Sequence, residues 1–428
     1  MYTNLPKMFE IHQKIASPKL ENVEKEVHSE LDRFDLSGKV REGERIAITA
    51  GSRGIRDKAA ILKVLVDSLK ALGAKPFIVP CMGSHGGATA EGQIRVLQHM
   101  GITEKYLGAP IVSSMAVKEI GWTSFGTPVL IDRNICERAD KIVVVNRIKP
   151  HTDFSHEVES GICKMMIIGM GKHEGALMAH RLTIKYGFSA IFREVLPIIQ
   201  NALPLFFGIG IIENQYDRTA SVHLLRPENF YEEERKLLKR ARRIMPRLPF
   251  KQIDVLIIDE MGKNISGTGM DPNVTGRRFF IGSAPLKEPK ITRIFVRDLT
   301  PESDGNAVGI GFAEYTTKRL VNKIDMEATA VNVITGMQPE CGRIPIAFDK
   351  DRDAIQAACD NSGVINPQDL RIVWIKNTME LEYIWASEPM FQESKENSSI
   401  EVVSDLQEVP FDRSGNMVGK WPKIQKKS

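Results

Sequence analysis

Three polar residues, far apart in the chain, each follow an apolar run. Arg53 comes after "RIAITAG", His85 after "KPFIVPCM" and His151 after "KIVVVNRIKP". If the runs are strands of one open parallel sheet, their carboxyl ends share a crevice, the place where such sheets bind ligands. Loop histidines are then candidate catalysts, and solvated loop residues are the competing reading. Four of the nine histidines lie within "HTDFSHEVESGICKMMIIGMGKHEGALMAH", residues 151–180. Lys164 is the only charge in the stretch "GICKMMIIGMG". An amine removed from water loses proton affinity and becomes a candidate for covalent attachment. A lysine that reaches the surface from a helix end would look the same. His180 follows sixteen residues after Lys164, within "HEGALMAHR". His156 and His173 read as surface residues.

The elements that must position these residues read as α/β. From about residue 44 to 147 strand-like runs alternate with helical patterns, the signature of a parallel sheet. "DKAAILKVLVDSLKALGA" puts Ile61, Leu65, Leu69 and Leu72 on one helical face, with Gly73 as a stop. "TAEGQIRVLQHMG" reads as the next helix and "LFFGIGIIEN" as a late strand. The charged stretch 227–246 is expected to be a solvated linking helix, after which "QIDVLIIDE" restarts the pattern. Two domains follow, 1–248 and 249–428, a division the length of 428 residues allows. A net charge of +4 gives no reason to expect a nucleic-acid or membrane partner. The five cysteines are scattered with no CxxC pair, which fits reduced thiols in the cytoplasm. No HExxH motif supports a hydrolytic zinc site.

The string "AITAGSRGIRD" imitates the nucleotide turn of a short-chain dehydrogenase, but Arg56 stands where the third glycine should be. The YxxxK pair is also missing, since "EYTTK" is one residue too short. An NAD(P)-dependent oxidoreductase is therefore the weaker alternative, alongside a ligand-sensing protein without catalysis.

Taken in order, "AGSRG", "GSHGGATAEG", "KPHTDF", "SGICK…GMGK" and the histidine at 180 resemble the nickel-pincer lactate racemases and their homologues. The resemblance implies two α/β domains with parallel sheets and an active-site cleft between them. It implies a nickel-pincer nucleotide, a pyridinium mononucleotide carrying two sulfur groups, joined covalently to Lys164, with His180 as nickel ligand. His85 and His151 would be the paired acid–base residues, and Arg53 would bind the substrate carboxylate. Lys318 would also contact substrate. The implied activity is a racemase or epimerase that inverts a 2-hydroxy acid carbinol centre by proton-coupled hydride transfer to the tethered group. Histidine suits both directions because it titrates near neutrality, and a forked guanidinium suits a carboxylate. Cofactor-maturation proteins are implied partners, and a homodimer is one assembly open to the chain. Ala50 stands where lactate racemases carry an acidic residue, and Gly86 where an arginine often follows the histidine. Tyr315 sits one place too near Lys318, and the glycine-rich stretch 262–277 has no assigned role. His156 competes with His151 for the second acid–base role. These departures favour the cofactor chemistry over lactate itself as the substrate.

Overall fold

The computed structural model describes residues 5–52, 54–152, 154–281 and 286–418. The chain forms two compact units: Ser17–Met245, and Met1–Ala16 together with Pro246–Ser428. Strand β1 (Met8–Gln13) therefore belongs with the later part of the chain.

The first unit is built on five strands: β2 (Arg45–Ala50), β3 (Lys75–Pro80), β6 (Lys141–Arg147), β7 (Leu205–Glu213) and β8 (Thr219–Leu225). Between β3 and β6 a separate antiparallel ribbon is formed by β4 (Val117–Trp122) and β5 (Pro128–Asp132). The sheet order is β3-β2-β6-β7-β8, parallel up to β7 and antiparallel at β8. Its central strands are apolar on both faces because both are covered. On one side Ile46, Ile48, Val143 and Val145 pack with Ile61, Leu65 and Leu69 of the Lys58–Ala71 helix. On the other, Ala47, Val79 and Val144 pack with Ile162, Met165, Met166 and Ile199.

The helix in the charged stretch spans Phe230–Ile244, and it is not a solvated linker. It buries Phe230, Glu234, Leu238, Ala241 and Ile244, and three of these close a small core with Ile148, Ile212 and Ala220. One apolar stripe decides its place, and the arginines and lysines occupy the remaining faces.

The second unit carries eight strands in the order β12-β11-β10-β9-β13-β14-β1-β15. Those not yet placed are β9 (Gln252–Met261), β10 (Lys290–Leu299), β11 (Tyr315–Thr317), β12 (Ile346–Phe348), β13 (Ile372–Ile375), β14 (Tyr383–Ser387) and β15 (Ile400–Val402). The stretch from β12 to β13 is parallel, whereas β14, β1 and β15 pair antiparallel. Parallel α/β sheets are thus the core of both units, with antiparallel strands added at one edge. The glycine-rich segment leaves the end of β9 and is tied down locally. Lys263 Nζ donates to the Gly267 carbonyl at 2.8 Å and to Asn332 at 2.7 Å, and Thr300 donates to Asn264 at 2.7 Å. Among the described residues no helix is long and apolar enough to cross a membrane.

Candidate active site

Strands β3, β2 and β6 are adjacent and parallel, so the turns that follow them leave the same edge of the sheet. Arg53, in the turn after β2, lies outside the described residues. His85 sits exposed in the turn after β3. Its Nδ1 is 2.8 Å from the Met82 carbonyl. A carbonyl only accepts, so Nδ1 carries the hydrogen and the neutral ring keeps its lone pair on Nε2.

His151 follows β6, and its Nε2 is hydrogen-bonded to Lys164 Nζ. With the lysine as an ammonium, which only donates, the ring nitrogen accepts; with it as a neutral amine the roles can reverse. The pair therefore sets an amine against a base able to take its proton. The His151 ring stacks on Phe154 at 4.5 Å, and Phe154 in turn stacks on Phe188. Lys164 is half-buried beside a shallow, mostly apolar recess lined by Ile167, Ala179, Phe188 and Phe192, with Thr183 its one other polar wall.

The backbone around Lys164 is unusual. One turn of α-helix, Ile162–Lys164, runs into a π-turn, Met165–Gly169, before the long helix Lys172–Tyr186. Single π-turns inside helices occur often at functional sites. Gly169 is required here, since a Cβ would come within 2.7 Å of the Cys81 carbonyl in the His85 turn. His180, half-buried, lies on the long helix next to Ala179, which walls the recess.

Two buried carboxylates hold this frame. Glu159 accepts the backbone N–H of His151 at 2.6 Å and of His156 at 2.9 Å, and pairs with Arg242. Burial raises its pKa, while these donors oppose the rise. Glu234 accepts the N–H of Cys163 at 2.8 Å, at the start of the turn that carries Lys164. Its full burial pushes its pKa up to about 7. A Cβ at Gly161 would collide with this carboxylate. Below the β2 turn, Lys58 is buried and donates to the Gly51 carbonyl at 2.7 Å. Burial, with Arg147 nearby, brings its pKa down to about 7.

Residues 5–189 match the family model described as the lactate racemase N-terminal domain. This segment is similar to that domain of the lactate racemases. The whole chain also resembles the lactate racemase apoprotein from Thermoanaerobacterium thermosaccharolyticum in fold. The likeness covers 86% of this chain and 100% of that one, with a TM-score of 0.52 and 16% identity. At that identity the likeness speaks for the fold alone. No curated protein matches the chain.

Of the residues the lactate racemase resemblance picks out, the structure brings His151 and Lys164 into contact and puts His85 after β3, with β2 between its strand and that of His151. His156 lies with its ring parallel to Phe192 at 5.9 Å, and its buried Nδ1 has no hydrogen-bond partner among the described residues. Burial lowers its pKa. Lys318 is in the second unit, exposed and paired with Asp349 at 2.8 Å. Sequence reasoning missed Glu159, in a loop, and Glu234 and Arg242, on the charged helix, because such residues look solvated until their partners are known. It also missed Lys172, whose place at the end of "GMGK" was the one available signal.

Proposed function

We propose that the chain is an isomerase of lactate-racemase type that inverts the carbinol centre of a 2-hydroxy acid, with a nickel-pincer nucleotide tethered at Lys164. The observation that supports this most is the contact between Lys164 and His151, with Lys164 also lining a mostly apolar recess. Attachment needs an amine that can lose its proton, and the adjoining imidazole is the acceptor for it. The apolar side chains of Ile167, Phe188 and Phe192 lie beside the amine.

Among the described residues no three His, Cys, Asp or Glu side chains gather as a metal cage. The residues fit the implied group nonetheless, since it brings a carbon and two sulfur donors of its own. A single imidazole completes that set, and His180 would supply it. When bound, the group provides a hydride acceptor.

The chain's own residues do the rest. Either His85 or His151 takes the hydroxyl proton, depending on which enantiomer is bound, and returns one when the hydroxyl is restored. Neutral rings with one free-base nitrogen can do both. Arg53 holds the carboxylate so that the carbinol carbon stays in place while its substituent hydrogen is exchanged between faces. Lys318 adds a second cation for the substrate, and dedicated maturation proteins would load the enzyme in the cytoplasm.

The test compares nickel content in two alanine variants prepared with the maturation proteins. His180→Ala should lose nickel, whereas His85→Ala should keep it and lose turnover by at least about a hundredfold, as expected for a general base. Equal nickel in the two variants would remove the distinction between ligand and base.

A further inference from the structure

Lys172 is completely buried, and its backbone takes a left-handed conformation, φ +54°, at the start of a helix. Non-glycine residues persist there only when their surroundings hold them. The ammonium is held by the Pro80 carbonyl at 2.7 Å, the Gln93 side-chain oxygen at 2.6 Å and Asp132 at 3.4 Å. Gln93 is itself fully buried, and its Nε2 donates to the carbonyls of Gly83 at 3.0 Å and His85 at 3.3 Å.

The chemistry of the three groups leaves one orientation for this amide. An ammonium can only donate, so it takes the amide oxygen. The NH2 end must then face the two carbonyls, which can only accept. A flipped amide would set donor against donor at Lys172 and acceptor against acceptor at both carbonyls. Both latched carbonyls lie in the turn that bears the candidate base, on either side of Ser84. The same turn supplies the Met82 carbonyl that fixes the tautomer of the His85 ring.

We propose that Gln93, oriented by Lys172, is a positioning residue for His85 that holds its ring as the Nδ1–H tautomer with Nε2 as the base. The proposal rests on the reading of His85 as one of the acid–base pair. The His85 tautomer and the nickel content are separate readouts, so the two assignments can fail separately.

The test uses the full-length protein without cofactor, labelled with 15N-histidine, so that loading plays no part. Gln93→Glu keeps a partner for Lys172 but turns an acceptor toward the Gly83 and His85 carbonyls. The variant should shift His85 toward the Nε2–H tautomer and raise amide exchange across residues 83–88 at least about tenfold. The histidine signal of His180 should not move. In loaded enzyme, if nickel is bound, kcat should fall with a displaced pH profile while KM is nearly unchanged. Should Gln93→Glu not fold, Gln93→Asn retains the amide but is too short to span from Lys172 to the turn. A folded variant with the native tautomer and native exchange would overturn the proposal. Loss of nickel with the latch intact would instead count only against the functional reading.

Discussion

Lys164 and Lys172 lie eight residues apart, one just before the Met165–Gly169 π-turn and the other at the start of the helix that follows it. Their neighbours differ in kind. Lys172 is sealed from solvent, with a carbonyl, an amide oxygen and a carboxylate around its ammonium. That set leaves it a fixed cation that welds the long helix to β3 and to the start of the Arg133–Arg138 helix, capped by Asp132. Lys164 is half-buried and meets an imidazole, a group that can hold the amine's proton and give it back. Burial alone therefore does not mark a reactive lysine. The proton-accepting character of what it touches does.

The largest expected effect separates the two lysines by stability. Lys172→Met should cost about 3–5 kcal/mol, because it leaves the Asp132 carboxylate buried without its partner. Lys164→Met should stay within about 1 kcal/mol, as expected at a partly exposed site. Urea denaturation of both variants makes the comparison. Similar losses would show that Lys164 is also a structural cation.

A smaller effect concerns the helix start that presents Lys164. Burial raises the Glu234 pKa from an ordinary 4.5 to about 7. A group whose folded pKa is raised contributes stability that is full below its unfolded pKa and lost as pH climbs through the folded one. Relative to Glu234→Gln, the wild-type protein should lose on the order of 3 kcal/mol between pH 4.5 and 7 and little beyond. Melting temperatures of the pair across that range test this. A constant difference would mean that the carboxyl does not titrate there.

The sheet of the first unit was legible because β2, β3, β6 and β7 are short apolar runs, each set off by turn residues. The motifs containing His85, His151, Lys164 and His180 could be placed for a related reason, since these residues follow strands or sit on helices of the first unit. Local pattern could not show that β1 pairs with β14, Met8 facing Ser387, because that contact joins the two ends of the chain. It also misread the Phe230–Ile244 helix. Glu234 falls on the buried stripe, and a carboxylate there makes a packed face look like a solvated one. Gln93 and Lys172 each sit in ordinary helical sequence, and their link appears only when β3 and two helices meet.

The central claim is that Lys164 carries the cofactor. Intact mass and peptide mapping of protein produced with its maturation proteins, in wild-type form and as Lys164→Ala, test it most directly. The account predicts a covalent adduct confined to the peptide containing Lys164, and a folded variant with no adduct. An adduct that persists in Lys164→Ala, or that maps to another residue of the wild-type chain, would contradict it.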